Sequence, residues 1–404
     1  MTGVSLSRLT AWLIAAYALD VLVPIIDIFG LPVPRYVASM SLSSGFILLA
    51  LAALVPLARR QRVPLLGRIE LALAGVIAFW AGLENLAATR MAGSADYSQV
   101  LDFVPPLLVI AATRLHHRLF GERDTLVEAF VALSAAMVAA HTALLVAMTL
   151  NLPLPMVRFG ELRGRNAMAQ LMPLCLWLLA FFPLRDWPVL GRRYGMLVVL
   201  GLLNLWLTST RSAVLVMAWC VLVGVIQWFP AWRQLLYAAL LPAGLLLVAL
   251  AALAYPIAMG LGDEVQQFVG HGDNALSFWS RARTNFMLLE KLAEDPILGL
   301  GWREVAATRI YGYMGHTLYV NVLAAYGWIG ALPVLLLAGA WLSGLRPRGR
   351  EAAAHFIVLA LMIESVFNNV FAFFGVPLAL LGAARLQHLP ELQEHGSKEI
   401  AHRT

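Results

Sequence analysis

TLYVNVLAAYGWIGALPVLLLAGAW, residues Thr317–Trp341, runs for 25 positions without a charged side chain. A helix that crosses a bilayer needs about 20 consecutive apolar residues, so this run reads as a transmembrane span. What precedes it differs in kind. From Gly260 to Gly315 the apolar pattern stops, over a stretch far longer than the usual connection of about 4–6 residues. Such loops are functional or disordered, and this one holds Phe278, Trp279, Phe286, Leu288, Leu289 and Leu292, enough apolar surface to pack. Ser277–Glu294 reads as an amphipathic helix, with Phe278, Ala282, Phe286, Leu289 and Ala293 at helical spacing and Arg281, Arg283 and Lys291 among them. Pro296 ends it, and Gly299, Gly301 and Trp302 make a turn. His316 then stands at the mouth of the apolar run, ahead of Thr317, Tyr319 and Gly327-Trp328-Ile329-Gly330. The loop reads as the working part of the protein.

Composition extends this reading to the whole chain. Its 404 residues are 61% hydrophobic and 13% charged, with a mean hydropathy of +0.78. Soluble domains carry about 25% charged residues, so the expectation is an all-α integral membrane protein, a single transmembrane domain over 1–404. Twelve candidate spans follow: 9–29, 36–58, 68–88, 97–114, 125–150, 166–184, 194–210, 212–230, 235–259, 317–341, 352–370 and 371–388. The first is kept as a helix rather than a signal peptide, because Asp20 and Asp27 interrupt it and no small-x-small cleavage site follows. The fourth contains Asp102 and the Pro105-Pro106 pair. Cys175 and Cys220 fall in different spans and read as small buried residues, which excludes a disulfide framework or a cysteine metal set. The formal charge of +6 is nearly all arginine, since Lys291 and Lys398 are the only lysines. In such a chain this balance points to loops facing anionic headgroups and not to nucleic acid.

Orientation follows from where the arginines cluster. Arg59, Arg60 and Arg62 follow the second span, Arg114, Arg118 and Arg123 the fourth, and Arg185, Arg192 and Arg193 the sixth. Arg233 follows the eighth, and Arg346, Arg348 and Arg350 the tenth. Every second loop is basic, which places those loops and both termini in the cytoplasm and 260–315 on the extracytoplasmic side. A minority of arginines then falls on the outer side, among them Arg35, Arg90, Arg158, Arg163, Arg165, Arg211, Arg281, Arg283, Arg303 and Arg309. Charge near apolar depth costs about 2.5–3.5 kcal/mol on translocon scales, so a simple anchor would not accumulate it. Snorkelling to headgroups, or loop ion pairs with Glu161, Glu290 or Asp295, would account for some. Arg211, in the tight Thr208-Ser209-Thr210-Arg211-Ser212 turn, has little room for an idle role. A guanidinium offers a planar fork suited to phosphate oxygens.

Together these residues resemble the O-antigen ligase and O-antigen polymerase superfamily. The resemblance rests on Arg281 ahead of Asp295-Pro296-Ile297-Leu298-Gly299-Leu300-Gly301, then His316-Thr317 and Gly327-Trp328-Ile329-Gly330. Arg163-Gly164-Arg165-Asn166 and the Thr208–Ser212 turn stand where that family has its arginine motifs. One departure is Thr317, where the family usually has Asn or Ser; threonine keeps a hydroxyl. The resemblance implies a membrane-embedded glycosyltransferase of GT-C type in the bacterial inner membrane, active at its periplasmic face. The implied donor is a glycan on undecaprenyl pyrophosphate, and for the ligase branch the acceptor is lipid A–core oligosaccharide. Neither metal nor cofactor is implied.

The chemistry of the residues is compatible with that implication. Breaking a sugar–pyrophosphate bond requires stabilising the departing charge, by a divalent ion or by fixed cations. Outside the spans there is no Asp-x-Asp pair or carboxylate–histidine cluster, which leaves arginine: Arg211, Arg163, Arg165, Arg281 and Arg283 are the candidates for the pyrophosphate. The acceptor hydroxyl needs a base, and His316 is the candidate, an imidazole whose ordinary pKa of about 6.5 suits neutral pH. The positive end of the following helix dipole disfavours imidazolium there. His271, the other loop histidine, reads as an ordinary polar residue.

Three alternatives stand beside the ligase. A polymerase or a protein O-oligosaccharyltransferase of the same superfamily would use the same donor chemistry. A secondary transporter would also have twelve spans and cytoplasmic termini, but carriers place paired charges and broken helices near the midplane in two similar halves. Here only the second half has a large outer loop, and Asp20, Glu70, Glu84, Asp102 and Glu364 mostly fall toward predicted helix ends.

Overall fold

The computed structural model describes residues 3–19, 21–22, 36–37, 40–91, 93–101, 103–121, 124–150, 196–197, 199–203, 273–310, 313–314 and 318–343. They are predominantly helical, with turns between the helices and two antiparallel pairs of two-residue strands. In chain order they form α1 (Gly3–Ala18), β1 (Tyr36–Val37), β2 (Met40–Ser41), α2 (Ser44–Arg60), α3 (Arg68–Arg90), α4 (Ser98–Leu101), α5 (Val104–Phe120) and α6 (Asp124–Thr149). After the undescribed middle come α7 (Asp273–Leu292), α8 (Trp302–Ala307), β3 (Arg309–Ile310), β4 (Tyr313–Met314) and α9 (Leu318–Ser343). The sixth, eighth, ninth, eleventh and twelfth candidate spans lie outside the described residues, as does most of the seventh.

Several helices differ from the boundaries read from hydropathy, each for a local reason. The first begins at Gly3 rather than Leu9 and has ended by Leu19. The second span loses its first turns to a hairpin, with Tyr36 opposite Ser41 and Val37 opposite Met40, and its helix starts at Ser44. The fourth candidate is two helices. Pro105 and Pro106 occupy the first turn of α5, where a missing N–H costs nothing, so the chain breaks before them. That helix continues to Phe120 and is closed by left-handed Gly121, so Arg114 and Arg118 belong to a helix and not to the loop expected after residue 114. The third, fifth and tenth candidates correspond to α3, α6 and α9.

Two apolar clusters organise the packing. α1, α2, α5 and α6 bury Ile14, Leu19, Ile47, Leu54, Leu115 and Phe130 between them. The second gathers Trp80 of α3, Val100 of α4, Leu288 of α7, Trp302 and Val305 of α8 and Tyr326 of α9. α3 borders both groups, contacting α5 on one side and α9 on the other. Outward from the clusters the helices keep large apolar residues exposed, including Leu48, Leu49, Leu71, Phe79, Leu332 and Leu336. Among the described residues one stretch, Glu70–Arg90, is long and apolar enough to cross a membrane, and most of it is exposed.

The loop helix α7 presents a different face inward from the one its apolar periodicity suggested. Thr284, Asn285, Leu288 and Leu292 are buried, whereas Phe286, Leu289 and Ala293 are exposed. Neighbours α9, β3 and β4 cover the inward side.

Candidate functional site

The end of the long loop is built into a break in α9. Helical geometry fails at Gly327, whose backbone lies at φ 60° and ψ −168°. A break leaves the last carbonyls of one half-helix and the first N–H groups of the next without intrahelical partners, and away from water such orphans are costly. Loop backbone fills both sets. Leu300 and Gly301 donate to the carbonyls of Ala324 and Ala325 at 2.8 and 2.9 Å, and Trp328 and Ile329 donate to those of Pro296 and Ile297 at 2.9 and 3.1 Å.

This joint explains why the two glycine motifs belong together. Gly299 and Gly301 sit at φ 74° and 81°, in the left-handed region that favours glycine. A Cβ on Gly299 would collide with the backbone of Ala325 and Gly327, and one on Gly327 with the carbonyl of Ile297. At Gly330 an added Cβ would strike Tyr326 of the preceding half of α9 and press on Leu83 of α3, and the Gly330 carbonyl accepts a 2.8 Å bond from Trp80 Nε1.

Polar side chains of α3 hold the loop from below. Glu84, 2% exposed, accepts a 2.8 Å hydrogen bond from the Trp302 N–H at the start of α8. Tyr326 interacts with the same carboxylate and stacks on Trp80 at a ring distance of 4.9 Å. Asp96 lies within electrostatic range of Glu84. Further out, Arg90 forms an ion pair with Asp295, whose other oxygen accepts from Leu298 N at 3.2 Å. Arg303 reaches Ser94 Oγ at 3.3 Å, and Lys291 donates to Thr308 Oγ1 at 3.1 Å. So two of the arginines expected on the outer side, Arg90 and Arg303, have partners of their own. Neither Glu84 nor the Arg90–Asp295 pair was recognisable as a contact from sequence, because the partners stand 218 and 205 residues apart.

The nominated residues are only partly within view. His316, Arg163, Arg165 and Arg211 lie outside the described residues, and so does His271. His316 follows β4 by two positions and precedes α9 by two. The hairpin before it, Arg309 opposite Met314 and Ile310 opposite Tyr313, packs on α7. Arg281 and Arg283 both stand on α7; Arg283 is exposed, and the Arg281 side chain lies outside the described residues. Positions two apart on a helix are turned about 200° from each other. Among the described residues no three of His, Cys, Asp and Glu are grouped closely enough to hold a metal ion.

The described part of the chain is thus a predominantly helical protein whose long loop is joined, backbone to backbone, to a discontinuous apolar helix. Comparison with protein-family models, with curated proteins and with solved structures returned no match.

Proposed function

We propose that the chain is a twelve-span inner-membrane glycosyltransferase that moves O-antigen polysaccharide from undecaprenyl pyrophosphate to a hydroxyl of lipid A–core oligosaccharide. The observation that carries this reading is the joint at Gly327, which ties Pro296–Gly301, ahead of His316 in the chain, to α9, which follows it. The two ends of α3 support the sidedness. At one end Arg114 pairs with Glu70 and donates to the Pro64 carbonyl, and His116 meets Ser7, so the N-terminal segment and two basic regions gather there. The periplasmic loop, through Asp295 and Trp302, meets the other half of the helix.

In the proposed mechanism His316 takes the proton of the acceptor hydroxyl as its oxygen attacks the anomeric carbon. The bond to pyrophosphate breaks with its electron pair leaving on the phosphate oxygen, and attack from the opposite face inverts the centre. Arg211, Arg163 and Arg165, together with Arg281 and Arg283, neutralise the leaving group without a metal. Losing a positioned base costs about 100- to 10,000-fold in rate. His316→Gln should therefore be nearly inactive while still binding donor, and the wild-type single-turnover rate should rise with pH through the imidazole range as the base loses its proton. A wild-type rate in His316→Gln overturns the base assignment; loss of donor binding moves the residue to the pyrophosphate site. Transfer in excess EDTA should persist.

A polymerase or a protein O-oligosaccharyltransferase shares this chemistry and differs in acceptor. Loss of the protein should leave no O-chain on any core if it is the ligase, and one repeat per core if it is the polymerase. The broken α9 beside buried Glu84 is the one feature that favours a carrier. Against it, the Ala324 and Ala325 carbonyls and the Trp328 and Ile329 N–H groups are occupied by loop backbone and not offered to an ion.

A further inference from the structure

The outward side of α7 carries an apolar stripe with charge along one edge, where Arg283, Glu290 and, just past the helix, Glu294 are exposed. Phe286 is 37% and Leu289 39% exposed, Ala293 follows on the same side, and Phe278 and Ala282 share their register. The inward side, by contrast, buries two polar residues, Thr284 and Asn285. An apolar stripe turned away from the protein and edged with charge is the pattern of a helix lying in a membrane interface.

The stripe does not stop with the helix. Past α7 comes Ile297, 61% exposed, whose carbonyl accepts from Ile329 N in the joint. Beside it stand Trp328 and Ile329, 58% and 40% exposed, and from there the second half of α9 continues with exposed Leu332 and Leu336. An exposed tryptophan at the start of an apolar half-helix is the usual occupant of the headgroup level. Arg283, exposed at the edge of the α7 stripe, is suited to lipid phosphates.

We infer that α7 is a membrane-surface anchor whose outward stripe, Phe286–Leu289–Ala293, is covered by lipid. A bilayer would cover both this stripe and the exposed apolar side of α9. Seated so, α7 restrains the loop from the lipid side while the joint restrains it from the protein side. The inference rests on the membrane embedding proposed above and is independent of the reaction.

Nitroxide labels read the occupant directly. The full chain, with Cys175 and Cys220 replaced by serine, is placed in vesicles of phosphatidylethanolamine and phosphatidylglycerol. Labels at Phe286→Cys and, separately, Leu289→Cys should collide more with oxygen, which concentrates in lipid, than with a water-soluble nickel chelate. Leu336→Cys supplies the lipid reference and Ser94→Cys the aqueous one. If Leu336→Cys reads as lipid while both stripe positions favour the chelate, the stripe faces water and the inference falls. It falls equally if both are shielded from the two reagents, as beneath a second protein surface. Chelate access at Leu336→Cys instead removes the embedding itself.

Discussion

A carboxylate 2% exposed within an apolar helix has to be compensated, and Glu84 is compensated by a backbone donor from the far loop. The bond at Trp302 N also satisfies one of the N–H groups left open at the start of α8. Glu84→Ala removes the acceptor and leaves the N–H buried, which should cost about 1–3 kcal/mol and appear as a lower Tm in detergent. Glu84→Gln keeps an acceptor oxygen and the volume, so its Tm should fall less; equal losses in the two variants would show that the bond contributes little. Sequence marks Glu84 as an unusual residue in an apolar run, yet nothing local names its partner. Arg211 is the opposite case: its tight polar turn singles it out before any contact is known. Arg211→Ala at equal membrane abundance should lose transfer, with Arg211→Lys recovering only part of it for lack of the planar fork.

At the scale of elements the joint between Pro296–Gly301 and α9 should respond sharply to side chains. Gly327→Ala combines a left-handed φ, which alone costs about 1–3 kcal/mol, with a collision against the Ile297 carbonyl. Gly299→Ala meets backbone in the same way. Each should yield little folded protein. Gly82→Ala, in α3 with nothing within 4 Å of the added carbon, should instead be neutral or gain about 0.5–1 kcal/mol. Thermal unfolding of the three variants checks the contrast, and a native Tm for Gly327→Ala would mean that the joint opens at little cost. Sequence shows these glycines as two separate motifs; that they close on each other is a tertiary fact. The α7 face illustrates a related limit. Periodicity identifies the apolar stripe of Phe286 and Leu289 but not which solvent covers it, and the residues that pack inward include Thr284 and Asn285.

For the whole molecule the arrangement about α3 makes the sidedness testable. Its 23 residues extend about 34 Å at 1.5 Å per residue, enough for the roughly 30 Å hydrocarbon core. Gln61, the C-cap of α2, belongs to the turn whose Pro64 carbonyl is held by Arg114, at the Glu70 end. Asp295 and Trp302 bind toward the Arg90 end, and Asp273 opens the helix that leads to them. The alternation of arginines assigns Arg59, Arg60 and Arg62 to the cytoplasm, and Arg114 and Arg118 keep that company although they lie inside a helix. What hydropathy does not show is the pairing that brings Glu70, Arg114 and the Pro64 turn together across 44 and 50 residues. With Cys175 and Cys220 replaced by serine, a membrane-impermeant maleimide added to the periplasmic side should label Asp273→Cys and leave Gln61→Cys unmodified. Permeabilising the membrane should then expose Gln61→Cys. Labelling of both from outside would place the two ends of α3 on one side and remove the span, whereas the reversed pattern would turn the protein over and carry the loop, with His316, away from a periplasmic donor.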